Sequence, residues 1–344
     1  MFIITFKLLL FASFSEALQC KDDNNNNVDW YMVYKIPSQS HSNNQLIKDG
    51  VAHIFLTSSD PMWKFSNKSI GDRKSIIGNT LRDLYENPAD SSYLFYNDEF
   101  PDRKIEGKGH TKGVAATDKN GGYWLVHSVP LFPNSTENYF YPSTGTRYGQ
   151  TFLCISMDLQ NVNKVGLQLQ YNQPAIYAKR ILQDVADLAG HLAEAASGTT
   201  ITSPPWYHLA SIKSISNVEF LSFAKSERFN KELYVDLVAP GLQTDLNVET
   251  WPNGKGKLAS NCTLPFKVKN VRSVRLEVAG VSFLSTHDHS KWAVSSGDGG
   301  KFWICIGDIN REEHQLRRGG GTVCLDDSKI AGYWQKFVDS VENC

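Results

Sequence analysis

Two short stretches of this chain carry residues that could together handle a phosphate. Residues 288–292 (DHSKW) hold His289 and Lys291, and residues 109–113 (GHTKG) hold His110 and Lys112. A strand turns successive side chains to opposite faces, so i and i+2 project from one face. The imidazole there can act as acid, base or nucleophile, while the ammonium holds a phosphate oxygen. One His-any-Lys triplet is common in proteins of this size. The two copies stand 179 residues apart, and the same slide superposes Gly121 on Gly300, Tyr123 on Phe302 and Trp124 on Trp303. Each copy runs from polar pair through glycine-rich turn into an aromatic, apolar strand: GGYWLVHSVP (121–130) and GGKFWICIGDIN (299–310). That is a duplicated supersecondary unit.

If the two pairs meet between the halves, one pocket holds two imidazoles and two ammonium groups. Such a cluster repels itself unless an anion sits in it, and a phosphodiester has the charge and size. The lysines hold the non-bridging oxygens, a role often given to metal ions. One neutral histidine attacks phosphorus and the other, protonated, gives its proton to the leaving oxygen. Water then attacks the phosphohistidine. One neutral and one protonated imidazole imply a bell-shaped pH profile, and crowding by lysines moves it into the acid range.

The elements that must position these residues alternate between strand and helix. Strands are expected at 28–37, 51–57, 92–99, across the hairpin 109–130, and at 150–157. Ile77, Leu81, Leu84 and Tyr85 predict a helix over 75–86, and Tyr177, Ile181, Val185, Leu188 and Leu192 predict one over 174–196. SGTTITSPPW (197–206) has the composition of a linker. In the second half, strands are expected at 212–216, 232–240 and 273–284, helices at 218–226 and 326–341, and WPNGKG (251–256) as a tight loop. RRGGGTVC (317–324) reads as a basic, glycine-rich loop entering a strand. The fold class is therefore α/β, with mixed sheets flanked by helices in two similar halves, 18–198 and 199–344.

Composition bounds the setting. The chain has 344 residues, 41% hydrophobic and 21% charged, which suits one large composite domain with a full core. MFIITFKLLLFASFSEA (1–17) reads as a secretory signal cleaved near Ala17, and no later apolar run is long enough to span a bilayer. Six cysteines behind it suggest three disulfides, for which sequence alone allows 15 pairings. Sequons at Asn67, Asn134 and Asn261 agree with the secretory route. No Cys/His cluster has zinc spacing, so neither metal nor other cofactor is expected. The formal net charge is −1 with histidines neutral; protonating all nine histidines in acid would take it to roughly +8, which favours a polyanion partner.

These residues resemble the phospholipase D superfamily, in which two His-any-Lys motifs build one site between two repeated halves. GDIN (307–310) is similar to that superfamily's Gly-Ser-any-Asn element, with Asp308 in the serine place. HSVP (127–130) keeps Ser128 and lacks the asparagine. Asp308, Asn310 and Ser128 are thus supporting residues, and GDIN is expected to support His289 and Lys291. No acidic residue follows either lysine at the superfamily's usual interval. A closer resemblance is to the deoxyribonuclease II family. VDWYMVYKIP, GHTKGV, HSVPLFP, YGQTFLC, WPNGKG, DHSKWAV and CIGDINREEHQLRRGGGTVC look like its blocks, in order, over nearly the whole chain beyond the signal.

That resemblance implies an acid endonuclease, lysosomal, phagocytic or secreted, that cuts double-stranded DNA without divalent metal and leaves 3′-phosphate and 5′-hydroxyl ends. It implies catalysis by His110, Lys112, His289 and Lys291, a possible homodimer, and disulfides Cys20–Cys154, Cys262–Cys344 and Cys305–Cys324. His110 is the favoured nucleophile by motif order. Arg317 and Arg318 either grip the DNA backbone or solvate a hairpin tip. His287 either tunes His289 or contacts phosphate, His127 is structural or catalytic, and Trp251 sits in a tight turn or stacks on a base. Two other functions stay open. A lipid phosphodiesterase would share the pocket, and an inactive secreted binding protein or toxin would have lost one of the four site residues.

Overall fold

The computed structural model describes residues 17–100, 107–134, 138–296 and 300–344. Residues 1–16 of the expected signal (1–17), Ser135 and Thr136 of one sequon, and Gly299 lie outside the described residues.

Period-two patterning divides the strand residues among three cores. On Trp30–Lys35, Trp30, Met32 and Tyr34 face one way, and Tyr31 and Val33 face the other. Trp124 and Val126 likewise oppose Tyr123 and Leu125. In the second half Trp292 and Val294 oppose Ala293, and Ile304 and Ile306 oppose Cys305. The first-named sets all merge into one core shared by both halves. The others fill a separate core on each outer face, so the two sheets are packed face to face.

The sheets share a central arrangement of antiparallel strands. The eight-stranded sheet runs Ile176–Arg180, Ser92–Tyr96, Gly113–Thr117, Gly122–His127, Gln150–Met157, Trp30–Lys35, His53–Thr57, Lys64–Phe65. The nine-stranded sheet runs Tyr207–Lys213, Glu219–Lys225, Gly320–Asp326, Trp303–Gly307, Trp292–Ser295, Leu246–Glu249, Val268–Leu276, Val281–Leu284, with Val338–Val341 also on Val268–Leu276. From Ser92–Tyr96 to His53–Thr57, the first sheet has the antiparallel sense that the second has from Leu246–Glu249 back to Tyr207–Lys213, and the first four strands match in chain order. Beyond them the order is swapped, since Trp30–Lys35 precedes His53–Thr57 in the chain whereas its counterpart Glu219–Lys225 follows Tyr207–Lys213. They differ again at the other end. Ile176–Arg180 joins Ser92–Tyr96 antiparallel, whereas Val268–Leu276 joins Leu246–Glu249 in parallel.

In both halves the third hairpin strand leads into a helix capped by an aspartate. Asp158 accepts from Asn161 N ahead of Leu159–Asn172, and Asp327 accepts from Lys329 N and Ile330 N ahead of Ser328–Phe337. Each helix lies against the opposite half. Lys164 Nζ donates to Ser211 O at 2.9 Å and Gln168 Nε2 to Ser222 O at 3.0 Å. Trp334 and Phe337 pack on Tyr34 and Trp63 of the first sheet. The two sheet-plus-helix halves therefore hold each other by exchanged contacts.

Several sequence expectations are corrected. The helix predicted over 174–196 begins as the edge strand Ile176–Arg180, and its remainder is two short helices, Gln183–Leu188 and Gly190–Ser197. The long helix of this half is Leu159–Asn172, whose buried Asn161, Gln168, Gln170 and Asn172 dilute the apolar stripe of Val162, Val165 and Leu169. The 218–226 segment is a strand, Glu219–Lys225, paired on both sides, with Phe220 and Phe223 turned to different cores. The 232–240 segment is helical, a wide turn over Tyr234–Val238 running into Ala239–Leu242. It is apolar on nearly every side, so periodicity could not separate buried strand from buried helix. The closing helix stops at Phe337, and Val338–Val341 becomes an edge strand.

Disulfides join Cys20 to Cys154, Cys262 to Cys344 and Cys305 to Cys324, the last pair facing each other across neighbouring strands. Asn67 is exposed, and Asn134 and Asn261 are half-buried. No helix among the described residues is long and apolar enough to cross a membrane.

Candidate active site

His110 and Lys112 immediately precede the Gly113–Thr117 strand, and His289 and Lys291 immediately precede Trp292–Ser295, the equivalent strand of the other sheet. Both lysine carbonyls are caught by the next strand in the same way. His127 N donates to Lys112 O at 3.3 Å, and Gly307 N donates to Lys291 O at 2.9 Å. Each polar pair is thus pinned to the end of a hairpin.

Each imidazole is held by the other half. His110 Nδ1 meets the main-chain carbonyl of Asp308, and His289 Nδ1 meets that of Ser128 at 3.0 Å. A carbonyl only accepts, so both Nδ1 atoms carry the proton and each Nε2 faces the site. Lys291 Nζ also lies 3.0 Å from His289 Nδ1 but has a closer acceptor in the His289 carbonyl, at 2.7 Å. The support is therefore crossed: GDIN holds the first pair, not the second as expected. The Asp308 carboxylate extends this hold by accepting from Thr111 Oγ1 at 2.5 Å and Gly321 N at 3.1 Å. Ser128 acts through its carbonyl, while its hydroxyl donates to Gln150 Oε1 at 2.6 Å and receives Thr151 N at 3.0 Å.

The four groups feel one another. Burial holds His289 well below the ordinary imidazole range, and Lys291, Lys112 and His110 lower it further. Burial also holds His110 well down, with Asp98 working against it and Lys112, Arg318 and Lys291 adding to it. Lys291 is depressed by burial and then by Lys112. These mutual effects join residues from both halves in one cationic site.

Asp98, which sequence reasoning missed, is the carboxylate nearest His110. It follows the Ser92–Tyr96 strand and is 8% exposed. Its carboxylate forms a close ion pair with Lys112 and lies 3.5 Å from His110 Nε2 and 3.2 Å from Arg318 Nη2. Burial opposes its ionisation, but His110, Lys112 and Arg318 together hold it below the usual carboxylate range. Arg318 also donates to Lys108 O and Gly109 O, so this arginine braces the first pair from the second half.

The other sequence candidates divide. Trp251 meets His289 edge-on, with ring centroids 5.1 Å apart, and is backed by Tyr148 at 4.6 Å. Arg317 is exposed, its Nε 3.4 Å from Asn230 Oδ1. His287 is exposed, and its carbonyl receives Gly149 N. Asn310 is buried with Oδ1 unpartnered among the described residues, and its main-chain N–H donates to Gln315. His127 is enclosed by Phe132 and Phe152, and its Nδ1 receives Val129 N, the position of a core histidine.

The family model for deoxyribonuclease II matches residues 19–344. This chain belongs to the deoxyribonuclease II family. It is 37% identical to Plancitoxin-1 of Acanthaster planci over 336 residues, covering 96% of this chain and 93% of that one. It is 35% identical to Deoxyribonuclease-2-alpha of Rattus norvegicus, with 96% and 95% covered. Identity to Deoxyribonuclease-2-beta of Homo sapiens is 33%, with 99% and 96% covered.

The buried Asp308 also makes stability depend on pH. Burial pushes its carboxyl up to about 6 from an ordinary value of 3.8. The unfolded chain then loses this proton at lower pH than the folded one, so the stabilisation is full below about pH 4 and is lost as pH rises through 6. Asp308→Asn should flatten this decline, which is on the order of 2–3 kcal/mol. Urea midpoints at pH 4 and 7 for both proteins measure it.

Proposed function

We propose that this member of the deoxyribonuclease II family is an acid endodeoxyribonuclease that hydrolyses double-stranded DNA without divalent metal, through a phosphohistidine, leaving 3′-phosphate and 5′-hydroxyl ends. The observation that carries the reading is the crossed pair of hydrogen bonds, His110 to Asp308 O and His289 to Ser128 O. It fixes both tautomers and turns both Nε2 atoms to one site, as the two-step scheme requires. Lys112 and Lys291 supply the positive charge that a pentacoordinate phosphorus needs. With both imidazoles depressed, one of them remains neutral in acid, where the nucleophile must act.

Trp251, against the His289 ring, suits contact with a base or sugar of a flanking nucleotide, and the exposed Arg317 suits contact with phosphate. The expected signal and sequons support residence in the lysosome, a phagocytic compartment or outside the cell, where a homodimer would clamp the duplex. The word toxin belongs to the name of the Acanthaster relative; all four site residues are present here, which favours catalysis over binding alone.

Nicking of supercoiled plasmid at pH 5 in EDTA tests the proposal. Wild type should nick, with 5′ ends that polynucleotide kinase labels without prior phosphatase treatment. His110→Ala and His289→Ala should each nick at least about 10²-fold more slowly. A requirement for magnesium, or an optimum above pH 8, would contradict it.

A further inference from the structure

The two halves match in the strands that carry the polar pairs and in the way each imidazole is tethered, yet among the described residues one of the two histidines faces a carboxylate and the other does not. Asp98 Oδ2 lies 3.5 Å from His110 Nε2, the atom left free once Nδ1 is committed to Asp308 O. Among the described residues, no Asp or Glu is in ion-pair reach of His289, whose ring contacts are the Ser128 carbonyl, Gln150, Lys291 and Trp251. Asp98 is itself immobilised from three directions: by Lys112 on its own half, by Arg318 from the other, and by burial. We propose that Asp98 is the positioning residue that divides the labour, making His110 the proton-carrying histidine and leaving His289 as the nucleophile.

The charged and titratable groups around His110 are Asp98 and Lys112 from its own half, and Arg318, Lys291 and the buried Asp308 from the other. Three of these are cations, so a proton on His110 Nε2 depends on Asp98. The groups around His289 are Lys291, Lys112 and His110, all of which disfavour a second positive charge. Two imidazoles this strongly linked titrate as a pair. The single proton they share goes to the member with the carboxylate.

The assignment rests on the function proposed above and deepens it. In the first step, the His289 Nε2 lone pair forms an N–P bond as the P–O5′ bond breaks. The leaving oxygen takes the proton of His110 Nε2 and departs as a 5′-hydroxyl. In the second, water attacks phosphorus, the N–P electrons return to His289 Nε2, and the water proton passes to the now neutral His110. The product is a 3′-phosphate, and His110 is again protonated. Motif order alone favoured His110 as nucleophile; the position of Asp98 reverses that choice.

A substrate with a leaving group that needs no proton separates the roles. Thymidine 3′-(4-nitrophenyl phosphate) and plasmid DNA are compared at pH 5 in EDTA with the full chain. His110→Ala should lose DNA cleavage by at least about 10²-fold yet release close to one equivalent of 4-nitrophenol in a burst, then stall for lack of a base. His289→Ala should release none. Asp98→Asn should lower DNA cleavage by about 10-fold or more, spare the nitrophenol burst, and move the alkaline limb of the DNA pH profile to lower pH. Asp98→Glu should restore much of the loss. A burst from His289→Ala but not from His110→Ala would overturn the assignment. So would Asp98→Asn with equal losses on both substrates and an unmoved pH profile, the signature of a purely structural residue. Wild type inactive on DNA under these conditions would instead refute the underlying function, and if Asp98→Asn fails to fold, the two histidine variants still decide the roles.

Discussion

His289→Ala is expected to fold normally and to cut DNA about 10⁴- to 10⁶-fold more slowly than wild type, the loss typical of deleting a nucleophile. The ring is half-buried at the edge of the site, and its contacts are the Ser128 carbonyl, the Gln150 and Lys291 side chains and the ring of Trp251. Removing it opens no core cavity, so circular dichroism and the thermal midpoint should stay close to wild type. His110→Ala should cost less, about 10²- to 10⁴-fold, because a general acid contributes less than a covalent route. The ratio of the two losses, measured as kcat/KM on one DNA at pH 5, is itself informative: equal losses would argue against the division of roles.

The second large effect concerns the clasp between halves. Trp334 is fully buried where the Ser328–Phe337 helix crosses onto the first sheet, with rings of Tyr34, Trp63, Trp292 and Phe337 centred 5.2 to 5.7 Å away. Trp334→Ala should cost about 3–5 kcal/mol through lost burial and the cavity left behind. Its indole N–H has no partner among the described residues, so Trp334→Phe removes an orphaned donor along with some volume and should cost distinctly less. Urea unfolding curves give both values. Because this residue binds one half to the other, Trp334→Ala should also reduce activity, although it lies in the core and not among the site groups.

The sequence made the chemistry easier to read than the scaffold. The two His-any-Lys pairs and the strands after them were visible as a repeat, and the structure puts both pairs at equivalent strand ends. Gln150–Met157 could be read to its ends because a buried central strand is a continuous apolar run. The crossed support could not be read. Asp308 follows Lys291 closely in sequence, but its carbonyl reaches His110, and Ser128 follows Lys112 but reaches His289. Proximity along the chain therefore misassigned GDIN and gave no hint of the partner of Ser128.

Asp98 escaped notice for a related reason. Family-style reading looks for the acid after the lysine, whereas here it comes before the pair, on the loop leaving the neighbouring strand. The long helix Leu159–Asn172 was hidden by its polarity. It buries amides that bond the opposite half, so its contact face is as polar as its exposed one. Conversely, 174–196 showed helical spacing, but its first residues are captured as an edge strand by Ser92–Tyr96. In each case tertiary partners outweighed the local pattern.

The covalent route is tested most directly by the stereochemical course at phosphorus. A DNA strand with one phosphorothioate linkage of known configuration is cleaved in H₂¹⁸O, and the configuration of the 3′-thiophosphate is determined. Attack by histidine and then by water gives two in-line displacements, and hence overall retention. Inversion would mean that water attacks the DNA in a single step, and the phosphohistidine account would be wrong.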